Sequence, residues 1–472
     1  METTPVLLVC PPTPRQLGTR TNKALDQASV ERDWSTDGTN SNSLDTLGSS
    51  SQGSTQGRGS SENTAVNIYK LNEREVKLLE QVDRYGFYSP PSSENRLLLF
   101  PSQPLKVALS PYRATSSSVT ATPPLLPSQP PLQESAVERK TENRRIAKWS
   151  RMLVPASRDS GANIAKWKFE ERKRHKLEER VYKGIPDRWR AAAWYTLIEG
   201  MATFIATSPL PGKGKEREVL RQERLIAEYH DAIDLPSTFD IQIDLDVPRT
   251  ISGHVMFKTR YGLGQRSMFH VLHSFSLHCE SCGYCQGMGP LAATLLSYLE
   301  PERVYFCLVR LHDDYDTHDI FLPGFSGLLE AFYVQEKVMQ KMLPGVYAVF
   351  KQNMISTTAY AVKWYITLFA NTLSYQTQLR LWDVYFLEGK DVLVLMAISI
   401  LWVFKDNLLS KEASFESILN LLSSFYVMED DDALMAWLRR AMSDRKLRRD
   451  MALWREEWKE LVRTHQERDA LL

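Results

Sequence analysis

The chain has 472 residues, 43% of them hydrophobic and 24% charged, with 58 Lys plus Arg against 57 Asp plus Glu. That length supports two or three ordinary domains and a sizeable core. The near balance of charge argues against a dedicated nucleic-acid binder, which carries a basic excess over its binding domain. Five cysteines, three of them clustered at Cys279, Cys282 and Cys285, do not form the even set of a secreted disulfide framework and point to a reducing compartment.

The first apolar run, Val6 to Cys10, is too short for a signal-peptide core and follows no positive region. Residues 1–63 are rich in Ser, Thr, Gly, Asn and Gln and lack apolar periodicity, so disorder is expected there. Over residues 64–88, Leu71, Val76, Leu79 and Val82 fall on one face of a predicted amphipathic helix that closes at Gly86. Residues 89–137 are Pro- and Ser-rich and read as a linker, and that composition also makes them a candidate ligand for a Pro-recognising domain.

Residues 138–445 read as one long helical region. Lys and Arg crowd 139–190, interleaved with Glu, which predicts a solvated helix face. Helical spacing recurs over 266–279, 291–299, 304–311, 328–343, 360–369, 379–387, 392–404, 415–425 and 433–442. The run from Val392 to Phe404 falls short of the roughly 20 residues that cross a bilayer and reads as a core helix. Alternating patterns of useful length are scarce, so the expected class is all-α, with short connections bringing neighbouring helices together. Residues 446–472 predict a charged helix carrying Leu453, Trp454, Trp458 and Leu461 on one side, read as a cap on the domain.

The chain shows no phosphate-binding machinery of its own. GxxxxGK[ST] is absent, the GKGK at 212–215 has no strand before it, and Gly262-Leu-Gly264 is half of a dinucleotide fingerprint. The segment C-E-S-C-G-Y-C has the C-x-x-C spacing of a zinc site and would need a fourth ligand from His278, His273 or Cys307. Strong helical stretches flank it and no second C-x-x-C occurs. Small residues tucked against a core explain the cysteines equally well, and the expectation is no metal.

Four further clusters carry the functional signal. They are Tyr182-Lys183-Gly184-Ile185-Pro186 with Arg190 and Trp194, Ile243-x-x-Asp246-x-x-Arg249, Gly283-Tyr284-x-Gln286-Gly287, and Trp364 followed by Arg380-x-Trp382-Asp383. Together they closely resemble the TBC-domain family of Rab GTPase-activating proteins, over roughly residues 140–440. The segment Asp83 to Phe87 also resembles one found ahead of such domains. Ser374 stands where many relatives carry proline.

The resemblance implies an all-α domain of two helical subdomains that completes the active site of a GTP-bound Rab. Arg249 would be an arginine finger, its planar guanidinium neutralising charge on the transferring phosphoryl group. Gln286 would be a glutamine finger, its amide both donating to and accepting from the attacking water. Ile243, Asp246, Tyr284, Gly283 and Gly287 would support the fingers, and Asp246 beside a phosphate would orient the arginine segment and not act as an acid or base. Lys183, Gly184, Ile185, Pro186, Arg190, Trp194, Trp364, Arg380, Trp382 and Asp383 are expected to build the scaffold, in part through a buried ion pair. No cofactor of its own is implied, since Mg²⁺ and GTP arrive on the partner. The expected setting is cytoplasmic, peripheral to endomembranes or the plasma membrane through the GTPase, in vesicle traffic. A catalytically silent scaffold or GTPase-binding adaptor is the alternative.

Overall fold

Prolines and caps punctuate a long series of helices in the computed structural model, which describes residues 81–88, 97–109, 136–205 and 213–472. All of these belong to one unit, Glu75–Leu472. The region 1–63, expected to be disordered, and most of the helix expected over 64–88 lie outside the described residues.

Strand β1 (Leu97–Phe100) leads into α1 (Gln103–Leu109), and α2 (Ala136–Trp149) is followed by β2 (Leu153–Arg158) and β3 (Ile164–Phe169). Then come α3 (Leu177–Tyr182), α4 (Asp187–Ile205), α5 (Lys213–Ala232), α6 (Asp240–Thr250), α7 (Leu263–His278), α8 (Met288–Leu296), α9 (Pro301–Asp314) and α10 (His318–Phe321). The remaining helices are α11 (Ser326–Met342), α12 (Pro344–Gln352), α13 (Thr358–Ile366), α14 (Tyr375–Glu388), α15 (Asp391–Val403), α16 (Lys405–Leu408), α17 (Phe415–Leu422), α18 (Asp431–Met442) and α19 (Arg445–Arg463), with β4 (Phe425–Met428) before α18. Pro301 and Pro344 open α9 and α12 at the first turn, where a missing N–H costs nothing. Asp430 and Asp444 cap α18 and α19 by accepting from backbone N–H groups.

Two groups of helices share the load. In the first, α9 packs on α4, α5 and α7, and α6 and α8 pack on α7. In the second, α11 and α15 form the centre, with α13, α18 and α19 around them. Helix α14 touches α3 and α4 on one side and α15 on the other, so the Arg380-Leu-Trp382-Asp383 motif joins the two groups. Helix α15 is buried nearly all round, which is why its sequence is apolar without a polar face.

The domain is mainly helical, with strands the sequence did not announce. β2 and β3 pair antiparallel, from Leu153 opposite Phe169 to Arg158 opposite Ile164, where a solvated helix face was predicted. β1 pairs parallel with β4, Leu97 opposite Phe425 and Phe100 opposite Met428, inside the segment read as a linker. Leu98, Phe100 and Leu105 are buried there, so residues 97–109 are part of the folded domain. The end of the predicted helix, residues 81–88, is a turn. Asp83 accepts from the N–H groups of Tyr85 and Phe87, and Gly86 sits at φ +90°. An Asp that offers its carboxylate to nearby N–H groups favours a turn over a helix.

The last helix, α19, lies along α11. Trp458 packs on Tyr333 at 5.2 Å and Arg455 pairs with Asp391 at 2.5 Å. Its buried residues are Leu447, Met451 and Trp458, whereas Leu453 is exposed. The covering stripe therefore starts a turn earlier than the sequence suggested.

Candidate functional site

Helix α6 carries Arg249 in its last turn. Pro248 sits inside that turn and removes one backbone donor, and the helix ends at Thr250, whose hydroxyl donates to Asp246 O at 2.8 Å. Ile243 and Val247 anchor α6 in the core. The opposite side carries Arg249, whose side chain is 63% exposed. Ile241 and Leu245, two turns and one turn before it on the same face, are also exposed. The sequence reading missed this pair, although their four-residue spacing to Arg249 was visible.

The loop between α7 and α8 carries Tyr284 and Gln286. Gly283 adopts φ +53°, and a Cβ there would run into the ring of Phe239 at the start of α6. A Cβ on Gly287 would lie 2.7 Å from Ile366 O. Both glycines let the loop press against neighbouring elements, while Gln286 itself is exposed.

Asp246 joins the two segments. Its carboxylate is 3% exposed, pairs with the Arg249 guanidinium, and accepts from the Tyr284 hydroxyl at 2.9 Å. Burial, and then the neighbouring carboxylate, push the Tyr284 phenol far above its usual range, so it stays protonated and donates. Two exposed side chains, a guanidinium and an amide, are thus carried on segments fastened to each other at one buried carboxylate.

The segment before the domain braces the chain just past Arg249. Tyr88 N donates to Gly253 O at 3.0 Å and Val255 N to Gly86 O at 2.8 Å. His254 donates through Nε2 to Tyr85 O at 2.7 Å and accepts at Nδ1 from Met256 N at 3.1 Å, an arrangement that needs the neutral ring. Burial holds the His254 pKa below its ordinary value. Arg84 pairs with Asp187 at 2.6 Å.

The scaffold motifs meet at Asp383, which is fully buried. Its carboxylate accepts from Trp194 Nε1 at 2.7 Å, from Arg190 Nε at 3.1 Å and from Ile185 N at 3.1 Å. Arg190 also donates to Ile185 O at 2.6 Å. Gly184 sits at φ +96° with Arg380 against its open face, and Arg380 donates to Tyr182 O at 2.9 Å and pairs with Asp432 at 2.8 Å. Pro186 is buried, and Lys183 is exposed and pairs with Glu179. Trp382 donates to Leu368 O at 2.9 Å, and Trp364 stacks on Phe369. Ser374, at φ −55°, donates its N–H to Tyr426 O at 2.9 Å, a bond a proline there would lack.

Residues 187–409 match the family model described as the Rab-GTPase-TBC domain. A TBC domain-containing protein of Schizosaccharomyces pombe is 35% identical over 274 residues, covering 56% of this chain and 60% of that protein. TBC1 domain family member 10A of Mus musculus is 28% identical over 325 residues, covering 67% of this chain and 59% of that protein. The solved structure of a Chlamydomonas flagellar RabGAP TBC domain aligns with a TM-score of 0.48 at 21% identity, over 65% of this chain and 96% of that one. Residues 187–409 of the chain thus carry a Rab-GTPase-TBC domain, the domain that marks the TBC family of Rab GTPase-activating proteins. The chain spans about 60% of the length of the S. pombe and mouse relatives.

Proposed function

We propose that the chain accelerates GTP hydrolysis on a GTP-bound Rab-family GTPase, with Arg249 and Gln286 entering the partner's nucleotide site. The observation that carries this reading is the Asp246 junction, which fastens the exposed arginine segment to the loop of the exposed glutamine. Phosphoryl transfer to water needs charge neutralisation and a well-aimed water more than covalent chemistry. The Arg249 guanidinium supplies fixed positive charge and a planar fork of donors. The Gln286 amide accepts from the water with its oxygen and donates with its nitrogen. Asp246 occupies part of the Arg249 fork and leaves other N–H groups for the partner's phosphate oxygens.

The exposed Ile241 and Leu245 flank Arg249 and offer apolar contact to the GTPase face around its nucleotide. Among the described residues no helix is long and apolar enough to cross a membrane. Contact with vesicle membranes would come through the GTPase.

Single-turnover GTP hydrolysis across a panel of Rabs tests the proposal. Arg249→Ala should lower the acceleration about 10³-fold or more, and Arg249→Lys should restore little of it because the fork is lost. Gln286→Ala should also abolish most of it. Gln286 is exposed, so Gln286→Ala should leave the melting temperature unchanged; Arg249→Ala also strips the ion pair from buried Asp246 and should lower it by a few degrees with the fold intact by circular dichroism. Acceleration that survives Arg249→Ala would exclude the mechanism, and a chain that binds Rabs while neither variant changes a rate would be the silent scaffold.

A further inference from the structure

The loop that carries Gln286 begins at Cys279, the residue that ends α7. Cys279 and Cys282 come together with His312, near the end of α9, and His318, the first residue of α10. Their four ligand atoms all lie within 4.8 Å of one another. Cys282 Sγ is 3.5 Å from His312 Nε2 and 3.4 Å from His318 Nδ1. Cys279 Sγ is 3.8 Å from His318 Nδ1, and the two ring nitrogens are 2.7 Å apart.

A tetrahedral zinc ion with Zn–S bonds of about 2.3 Å and Zn–N bonds of about 2.0–2.1 Å sets sulfur and nitrogen ligands roughly 3.6 Å apart. The three sulfur–nitrogen distances fall around that value. The two nitrogens need to separate by roughly 0.6 Å to match the same geometry, which a small ring rotation provides.

Three further observations point to a metal. The spacing is C-x2-C followed by H-x5-H, within the range that structural zinc sites use. His312 Nδ1 donates to Asp313 Oδ1 at 2.8 Å, so its Nε2 lone pair is turned toward the cluster. This is the carboxylate–histidine arrangement that orients metal-bound imidazoles. Cys282 and His312 are buried, and Cys279 and His318 are half-buried. Two thiolates and two neutral imidazoles around a divalent cation carry no net charge, which suits that burial.

The three candidates that the sequence offered for the fourth ligand lie outside this group. His278 pairs with Glu228 and His273 with Asp240, each at 2.5 Å, and Cys307 is fully buried outside the group.

We propose that Cys279, Cys282, His312 and His318 bind one structural zinc ion that pins the start of the Gln286 loop to α9 and α10. On binding, the two thiols release two protons and form two Zn–S bonds, with no change in oxidation state. The binding claim stands on these four residues alone. Its consequence for Gln286 rests on the hydrolysis reading.

The test is metal analysis of the full chain, purified under reducing conditions and exposed to equimolar ZnCl₂. About one zinc per chain is expected. Cobalt substitution should give the visible absorption of a tetrahedral thiolate site. Cys279→Ser, Cys282→Ser and His318→Asn should each lower zinc retention after dialysis at least tenfold, whereas Cys285→Ala should retain it. Wild-type chain that takes up no zinc above background, or Cys282→Ser that keeps it, would overturn the proposal. These readouts need no GTPase, so their failure is distinct from failure of the hydrolysis reading. Where zinc is bound, its removal by a chelator should weaken the acceleration of GTP hydrolysis, as Gln286→Ala does.

Discussion

Tyr284→Phe isolates the bond between the two finger segments. The ring remains, so its packing in the core is kept, and one hydroxyl is lost. That hydroxyl donates at 2.9 Å to a carboxylate that is 3% exposed. A hydrogen bond to a charged group contributes about 1.5–3 kcal/mol, and the Asp246 oxygen left behind has no water to replace it. If the loop depends on this bond in full, the acceleration of GTP hydrolysis should fall by about ten- to a hundredfold, since each 1.36 kcal/mol is a factor of ten. The melting temperature should drop by a few degrees. Single-turnover hydrolysis and thermal unfolding of the same preparation read both effects. A double-mutant cycle with Asp246→Ala should give a clear coupling energy. Wild-type rate and stability in Tyr284→Phe, with additive effects in the cycle, would show that the junction does not position Gln286.

Asp383→Ala should be far more damaging to the fold than to any one contact. It leaves the Arg190 guanidinium, with a side chain 5% exposed, together with Trp194 Nε1 and Ile185 N, without their shared acceptor. A loss of about 3–5 kcal/mol is expected in denaturant titration; a loss under 1 kcal/mol would mean the hub is replaceable by water. His254 gives a pH dependence. Its folded pKa lies below the ordinary 6.5, first because of burial. Just below pH 6.5 the unfolded chain therefore binds a proton that the folded chain refuses, and stability falls as pH falls through that window. Denaturant midpoints from pH 7.5 to 5.5 should show this slope, and His254→Gln should remove that part of it; an unchanged slope would reject the neutral-ring bridge to Tyr85 and Met256.

Helices were legible because their cores repeat locally. The spacing of Met268, Leu272 and Phe275 already marked the buried side of α7, and the unbroken apolar run of 392–404 marked a helix without a wet face. The strands were not legible, for different reasons. β1 is four residues long and its partner lies more than 300 residues away, so no local pattern encodes the pairing. β3 carries Lys166 and Lys168 between apolar residues and is mostly half-buried, and β2 is exposed beyond Val154, which blurs the alternation in both. At the site, the motif residues pointed to Arg249 and Gln286, while the Asp246–Tyr284 bond that ties their segments required the fold. His312 and His318 lay thirty or more residues from the cysteines they face. Their H-x5-H spacing was the available signal, and it had no meaning until α9 and α10 were placed beside α7.

The pairing of β1 with β4 bears on where this protein can be cut. Ser102 donates to Glu429 and Lys106 pairs with Asp430, so the early segment also clasps the residues that open α18. A fragment trimmed to the family match at 187–409 would lack both partners, and one begun at 187 but carried to the end would leave the edge of β4 uncovered. Such an edge invites pairing between molecules. Fragments intended to behave as monomers should begin ahead of Leu97 and run through α19.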